Sequence, residues 1–212
     1  PMDIRNEVEK ADGVLLTWHA GTMAGPAVAD LVSGDKNPSG HLTMSFPYSV
    51  GQVPVHYNSK NTGRPAKSQF KAQGYSCSYV DIRNAPLFPF GYGLSYTKFE
   101  YSDLQIKPGN GKDILQTVTC TVKNTGDRDG QEIVQLYIRD MVASIAQAPI
   151  LLKSFERVEL KKGESKTITF NLGKQELSMY NAQLEEVVEP GDFKVMIGAA
   201  SDDIRLEGMF TL

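Results

Sequence analysis

Over the second half of the chain, apolar side chains fall on every second position. Ile114, Val118, Cys120 and Val122 alternate with Thr117, Thr119, Thr121 and Lys123. Val134, Leu136 and Ile138 share a phase, as do Ile168, Phe170 and Leu172, then Phe193, Val195 and Ile197, then Ile204, Leu206 and Phe210. A period of two puts alternate side chains on one face, which is the pattern of a half-buried strand. With "YSDLQI" and "LLKSFERVEL" the pattern predicts about seven strands, separated by turn sequences such as "NTGDRDG", "KKGES" and "EPGD". No helical period interrupts them, so the expected arrangement is two antiparallel sheets packed face to face.

The first half reads differently. A short polar, helix-compatible segment leads to Gly13, and the apolar run Val14 to Leu16 fits a buried strand, parallel in type. In "MAGPAVADLVSG", Met23, Ala27, Val28, Leu31 and Val32 form one face of a helix, with Pro26 in the first turn and Gly34 as C-cap. Leu42, Met44 and Phe46 then alternate with Thr43 and Ser45, predicting a short strand ended by Pro47. One strand–helix–strand unit is a fraction of a parallel sheet, so the remaining strands are expected before Pro1. From Val55 to about Pro86 no period is visible, and Tyr57, Phe70, Tyr75 and Tyr79 mix with Lys60, Arg64, Lys67 and Lys71. Two readings fit: a binding loop, whose rings and polar groups suit a sugar, or a wrapping loop pinned by its tyrosines. The expected fold is therefore mixed. Residues 1–54 are expected as the end of an α/β unit, 55–96 as an irregular loop and connection, and 97–212 as a fibronectin type III-like or immunoglobulin-like β-sandwich.

Composition narrows the chemistry. The formal charge is −3 with no basic concentration, so nucleic acid is not an expected partner. No apolar run approaches the roughly 20 residues of a membrane span. Cys77 and Cys120 are the only cysteines and are expected as free thiols rather than a bridge. His19, His41 and His56 lack metal-ligand spacing, and Asp127, Asp129, Glu132 and Asp140 read as solvent-facing carboxylates; no metal and no cofactor are expected. "HAGTMAG" matches neither the dinucleotide fingerprint nor a phosphate loop, leaving a tight strand-to-helix connection or the rim of a ligand site. The opening at Pro1, without Met or signal peptide, fits signal removal or a piece cut from a longer polypeptide, and the cut is the favoured reading.

Several stretches together carry a resemblance: "GVLLTWHAGTMAGPAVADLVSGDKNPSGHLTMSFPYSVGQVPVHYNSKNTGRP", "LFPFGYGLSYTKF", "VKNTGDRDGQEIVQLYIRD", "LLKSFERVELKKGESKTITF" and "EPGDFKVMIG". In this order they resemble the C-terminal portion of a glycoside hydrolase family 3 enzyme, of the bacterial periplasmic β-glucosidase type, over almost the whole chain. The resemblance implies a larger parent with an N-terminal (β/α)8 barrel, an α/β sandwich domain of which residues 1–54 are the C-terminal remnant, an irregular active-site-rim loop and interdomain connection over 55–96, and a fibronectin type III-like domain over 97–212. Such a parent is exo-acting, releasing terminal β-D-glucosyl residues with retention, and is periplasmic or secreted. Its nucleophile is a barrel aspartate, and its acid/base is a glutamate upstream of "GVLLTWHAG".

Retention needs two carboxyls about 5–5.5 Å apart. Glu7, Glu9, Asp30, Asp35 and Asp81 match no catalytic position of the family, so the chain alone is expected to be inactive, with no catalytic residue of its own. What the resemblance does imply here is a rim. Arg64, Tyr75 and Tyr79, and more weakly Lys60 and Asn61, would shape the aglycone side; Ser78 stands where relatives often carry a basic residue, which counts against direct sugar contact there. In "FPFGYGLSY", Phe88, Phe90, Tyr92 and Tyr96 are expected as an interdomain clasp, with a sugar platform as the other reading. The expected partners are a β-linked glucoside or oligosaccharide and the barrel domain. A large exposed apolar surface is expected on the α/β part, where the barrel would pack. A stand-alone carbohydrate-binding or adhesion module, and a β-xylosidase or arabinosidase parent, remain the alternatives.

Overall fold

The computed structural model describes residues 2–66, 74–111 and 113–212. Seven long strands build the second half: β1 (Phe99–Pro108), β2 (Gln116–Asn124), β3 (Gly130–Asp140), β4 (Leu151–Leu160), β5 (Ser165–Leu172), β8 (Asp192–Ala200) and β9 (Asp203–Thr211). A short helix, α3 (Lys174–Leu177), and a two-residue hairpin, β6 (Met179–Tyr180) with β7 (Glu186–Val187), connect β5 to β8. All pairings are antiparallel, in a three-stranded sheet β1-β2-β5 and a four-stranded sheet β4-β3-β8-β9. This is the fibronectin type III-like sandwich that the alternation predicts. Val118, Cys120 and Val122 of β2 face Val134, Leu136 and Ile138 of β3 and Val195 and Ile197 of β8 in one apolar layer. Phe193 and Phe210 stack at its end, with ring centres 5.3 Å apart. Cys77 and Cys120 are both free, and burial pushes the Cys120 thiol up to about 11.

Strand β3 departs from simple alternation, because Gln135 and Tyr137 on its outer face are as buried as its inner residues. The cover is the first half of the chain. Residues 40–46 run alongside 88–92: Leu42 N–H donates to Tyr92 O and Gly91 N–H to Leu42 O, each at 2.8 Å. Phe46 bridges Phe88, and Ser201 N–H donates to Phe90 O at 2.9 Å, tying this layer to the β8–β9 turn. The four-stranded sheet is thus buried on both faces where this segment crosses it.

Further out, the first half contains α1 (Arg5–Lys10), α2 (Ala24–Ser33) and a 3-10 turn (Val50–Gln52). Helix α2 forms where its spacing predicts, with Pro26 in its first turn and Gly34 closing it at φ +83°. Two expected strands do not form. Residues 14–16 have no strand pairing, and Val14 and Leu15 are exposed. A strand needs a partner for its N–H and C=O groups, and no described residue supplies one here. Around "LTMSF" only the single Phe46–Phe88 bridge exists; Met44 points outward and Ser45 is buried, opposite to the predicted alternation. No residue of α2 is buried, and Met23 and Val32 are 69% and 73% exposed.

Candidate functional site

The layer between the two halves centres on Gln135. Its amide Nε2 donates to Gly91 O at 3.1 Å and to Ala199 O at 2.5 Å, while its Oε1 accepts from Tyr137 Oη at 2.5 Å. One side chain from the middle of β3 thereby joins the loop at 91, the end of β8 and its own strand. Beside it Tyr57 stacks on Phe90, ring centres 4.3 Å apart, and meets the Tyr137 ring edge-on at 6.1 Å. Tyr57 Oη accepts Leu152 N–H at 3.2 Å, so the ring is held at both ends. Burial drives the Tyr137 hydroxyl well above its usual range, keeping it protonated and able to donate.

The aromatic stretch divides its contacts. Phe90 faces Tyr57; Phe88 packs on Tyr92 at 5.0 Å; Tyr96 donates its hydroxyl to Leu31 O of α2 at 2.8 Å, under the guanidinium of Arg128. Asn37 Oδ1 accepts Tyr96 N–H at 2.8 Å and Ser95 Oγ–H at 3.0 Å. Gly91 takes φ +80°, and a Cβ there would run into Gln135; a Cβ on Gly93 would lie 2.6 Å from Gly40 O.

Glu132 corrects the expectation of solvent-facing carboxylates. It lies within β3 and not in the turn, and its side chain is 8% exposed. Tyr101 Oη donates to its Oε1 at 3.1 Å, and His41 Nε2 stands 3.9 Å from the same oxygen. His41 Nδ1 donates to Gly91 O at 2.5 Å, which makes this histidine part of the joint. Burial raises the Glu132 carboxyl above its ordinary value, outweighing the lowering influence of His41 and of the Tyr101 hydrogen bond.

The rim residues lie on a separate strap. Cys77 N–H donates to Arg64 O at 2.7 Å, and Pro65 and Cys77 form a parallel bridge, so the Arg64 backbone runs beside the Tyr75–Tyr79 segment. Tyr75 is 90% exposed and Tyr79 partly so; Lys60, Asn61 and Arg64 are exposed. Tyr79 N–H donates to Asn84 Oδ1 at 2.9 Å. Asn61 is set apart, lining a cavity of about 220 Å3 with residues 139–149. Phe70, Lys67 and Lys71 lie outside the described residues. Where the strap rejoins the fold, Arg5 and Arg83 both hold their guanidinium carbons over the Tyr48 ring, at 4.7 and 4.4 Å.

Of the carboxylates weighed for catalysis, Glu7, Glu9, Asp35 and Asp81 are exposed and Asp30 is half-buried on α2. Among the described residues no group of three His, Cys, Asp or Glu side chains is placed to hold a metal ion. Sequence reasoning passes over Gln135 and Tyr137, whereas it weighs Tyr57 as one of the rings pinning a wrapping loop, and His41 and Glu132 only as metal-ligand candidates. A signal for the first two exists, since β3 carries apolar residues on both phases (Ile133 and Tyr137 against Val134, Leu136 and Ile138), the mark of a strand covered on both faces.

Comparison with known proteins places these features. The profile of the glycosyl hydrolase family 3 C-terminal domain matches residues 1–96, and that of the fibronectin type III-like domain matches 132–201. A periplasmic β-glucosidase of Salmonella typhimurium is 44% identical over all of this chain, and a β-xylosidase of Formosa agariphila is 44% identical over 97% of it. A crystal structure of a mutant β-glucosidase from Listeria innocua in complex with laminaribiose superposes with a TM-score of 0.91 at 42% identity, covering 99% of this chain and 29% of that one. The chain spans 28% of the length of the Salmonella and Formosa relatives. Among the described residues no helix is long and apolar enough to cross a membrane. The chain belongs to glycosyl hydrolase family 3, as a C-terminal portion in which residues 1–96 match the family's C-terminal domain and residues 132–201 the fibronectin type III-like domain.

Proposed function

We propose that this chain is the C-terminal part of a retaining, exo-acting β-glucosidase that removes terminal β-D-glucosyl residues, and that by itself it is inactive. Surface is the observation that carries the reading. A folded monomer of 23.3 kDa is expected to expose roughly 9,700 Å2, whereas this chain exposes 13148 Å2. Large apolar side chains are exposed along the first half, including Val14, Leu15, Trp18, Met23, Val32, Val50 and Val53. A domain carrying the catalytic carboxylates would pack here, pairing residues 14–16 as a strand and covering α2.

In that setting residues 1–54 are the closing part of the α/β domain, 55–96 the rim and connection, and 97–212 the sandwich. The joint around Gln135 and Tyr57 fixes the connection to the sandwich, with Phe88, Phe90, Tyr92 and Tyr96 as its clasp. The strap with Arg64, Tyr75 and Tyr79, and the nearby Lys60 and Asn61, borders the aglycone side. The location is periplasmic, by likeness to the Salmonella relative. A β-xylosidase parent is the second reading, favoured by the Formosa relative at the same 44% identity. Assaying the whole gene product on paired aryl β-glucoside and aryl β-xyloside substrates separates the two. A kcat/KM higher on the glucoside supports the first reading, and a higher value on the xyloside overturns it.

A further inference from the structure

Between the 92–97 segment and the sandwich lies a groove of about 550 Å3, bordered on one side by the joint through His41, Tyr92 and Tyr96 and separate from the rim strap. Its size is that of a small-molecule site, for which about 300–1,000 Å3 is usual. Tyr92, Phe99 and Tyr101 line it, and Tyr96 stands at its edge. On its wall are Glu132 and His41, with side chains only 8% and 13% exposed. Their facing atoms, Oε1 and Nε2, are 3.9 Å apart, beyond a direct hydrogen bond.

Gly91 O can only accept, so His41 Nδ1 donates to it, and Nε2 is the ring nitrogen turned toward Glu132. Two polar atoms side by side in a poorly solvated position call for a ligand that brings adjacent groups able both to donate and to accept. Neighbouring hydroxyls on a sugar ring do so, and the apolar face of the ring packs on tyrosine and phenylalanine. The charge inventory argues against an anionic ligand: Lys98 and Arg205 stand against three carboxylates, Glu100, Glu132 and Asp203, and Arg205 is engaged with Asp203 at 2.7 Å.

We propose that this groove is a saccharide-binding site for a neutral oligosaccharide of β-linked hexoses, held by Glu132 and His41 through adjacent hydroxyls and by the tyrosine rings through one sugar face. The choice of β-linked glucose units rests on the reading of the parent as a β-glucosidase; the groove itself does not.

The test is a titration of the 15N-labelled chain with laminaritriose and with cellotriose. The expected result is saturable shifts at the backbone amides of Gly93, Lys98, Tyr101 and Glu132, with a dissociation constant on the order of 1 mM. Leu94 is 71% exposed at the groove mouth, so Leu94→Arg obstructs it without touching the core. That variant, and separately Glu132→Gln, should weaken binding at least about tenfold while the rest of the spectrum is unchanged. The proposal is overturned by no saturable shifts up to about 50 mM sugar, by shifts confined to Tyr75 and Tyr79, or by undiminished binding in Leu94→Arg. Aryl β-glucoside hydrolysis by the whole gene product is read separately. Activity without groove shifts overturns the groove alone, and groove shifts without activity overturn the glucosidase reading alone.

Discussion

A Cβ added at Gly91 would collide with Gln135 Oε1, and its φ of +80° is strained for any other residue. Gly91→Ala should therefore cost about 3 kcal/mol, combining left-handed strain with overpacking, and urea denaturation measures it. Gln135→Ala removes the amide that Ala199 O and the Tyr137 hydroxyl bond in a buried layer, while Gly91 O keeps its bond from His41 Nδ1. At about 1–3 kcal/mol for an unsatisfied group, partly relieved by entering water, a loss of about 2–4 kcal/mol is expected in the same measurement. Glu132 acts in the opposite sense. Its carboxyl is raised in the folded state, so its contribution is favourable below the ordinary glutamate value and is lost as pH rises through the folded value. Glu132→Gln keeps an acceptor for Tyr101 and removes the buried charge. Its Tm should match or exceed that of the wild type near pH 8, with the difference shrinking or reversing near about pH 4. A variant less stable at pH 8 than at pH 4, relative to wild type, would show that the contacts of the Glu132 carboxylate with Tyr101 and His41 outweigh burial.

At the scale of elements, β3 and α2 sit at opposite ends of burial. Leu136 on β3 is fully buried, whereas Val32 on α2 is 73% exposed. Leu136→Ala should cost about 2–5 kcal/mol, and Val32→Ala within about 0.5 kcal/mol, both read from urea midpoints of this chain. If Val32→Ala costs as much as a core truncation, α2 is covered by a contact that its exposure does not show. The same contrast explains what was legible in the sequence. Strands β2 and β5 could be read because each has one apolar phase and one core, so local pattern and tertiary fate agree. Residues 14–16 have the composition of a strand, yet pairing is not a local property, and no described strand lies beside them. Ser45 and Gln52 are buried polar residues in a segment with only an isolated bridge and one 3-10 turn. Gln52 pays for its place through Tyr48 N–H and the carbonyls of Arg83 and Ala85, partners up to 33 residues away that no short-range pattern reveals. The site followed the same rule. The aromatic stretch 88–96 stood out by composition, but its main receiving side chains, Gln135 and Tyr57, lie on a polar phase and in an aperiodic loop.

The whole molecule has a finished half and an unfinished one. Its sandwich encloses a continuous apolar core, while the first half leaves Trp18 48% exposed and Met23 69% exposed beside a segment with strand composition and no strand. The surplus of roughly 3,400 Å2 over an ordinary monomer is large enough for one side of a permanent domain interface. Residues 2–54 should accordingly exchange amide hydrogens much faster than β2, β3 and β8 when this chain is studied alone, because few of their N–H groups are both bonded and buried. Hydrogen exchange with mass spectrometry resolves the two halves; equal protection would mean the first half is complete as it stands. Catalysis gives the most direct test. The chain alone and the product of its whole gene are assayed side by side on 4-nitrophenyl β-D-glucoside. The expected result is nitrophenol release by the whole product and none above buffer by the chain; turnover by the purified chain, or none by the whole product, contradicts the account.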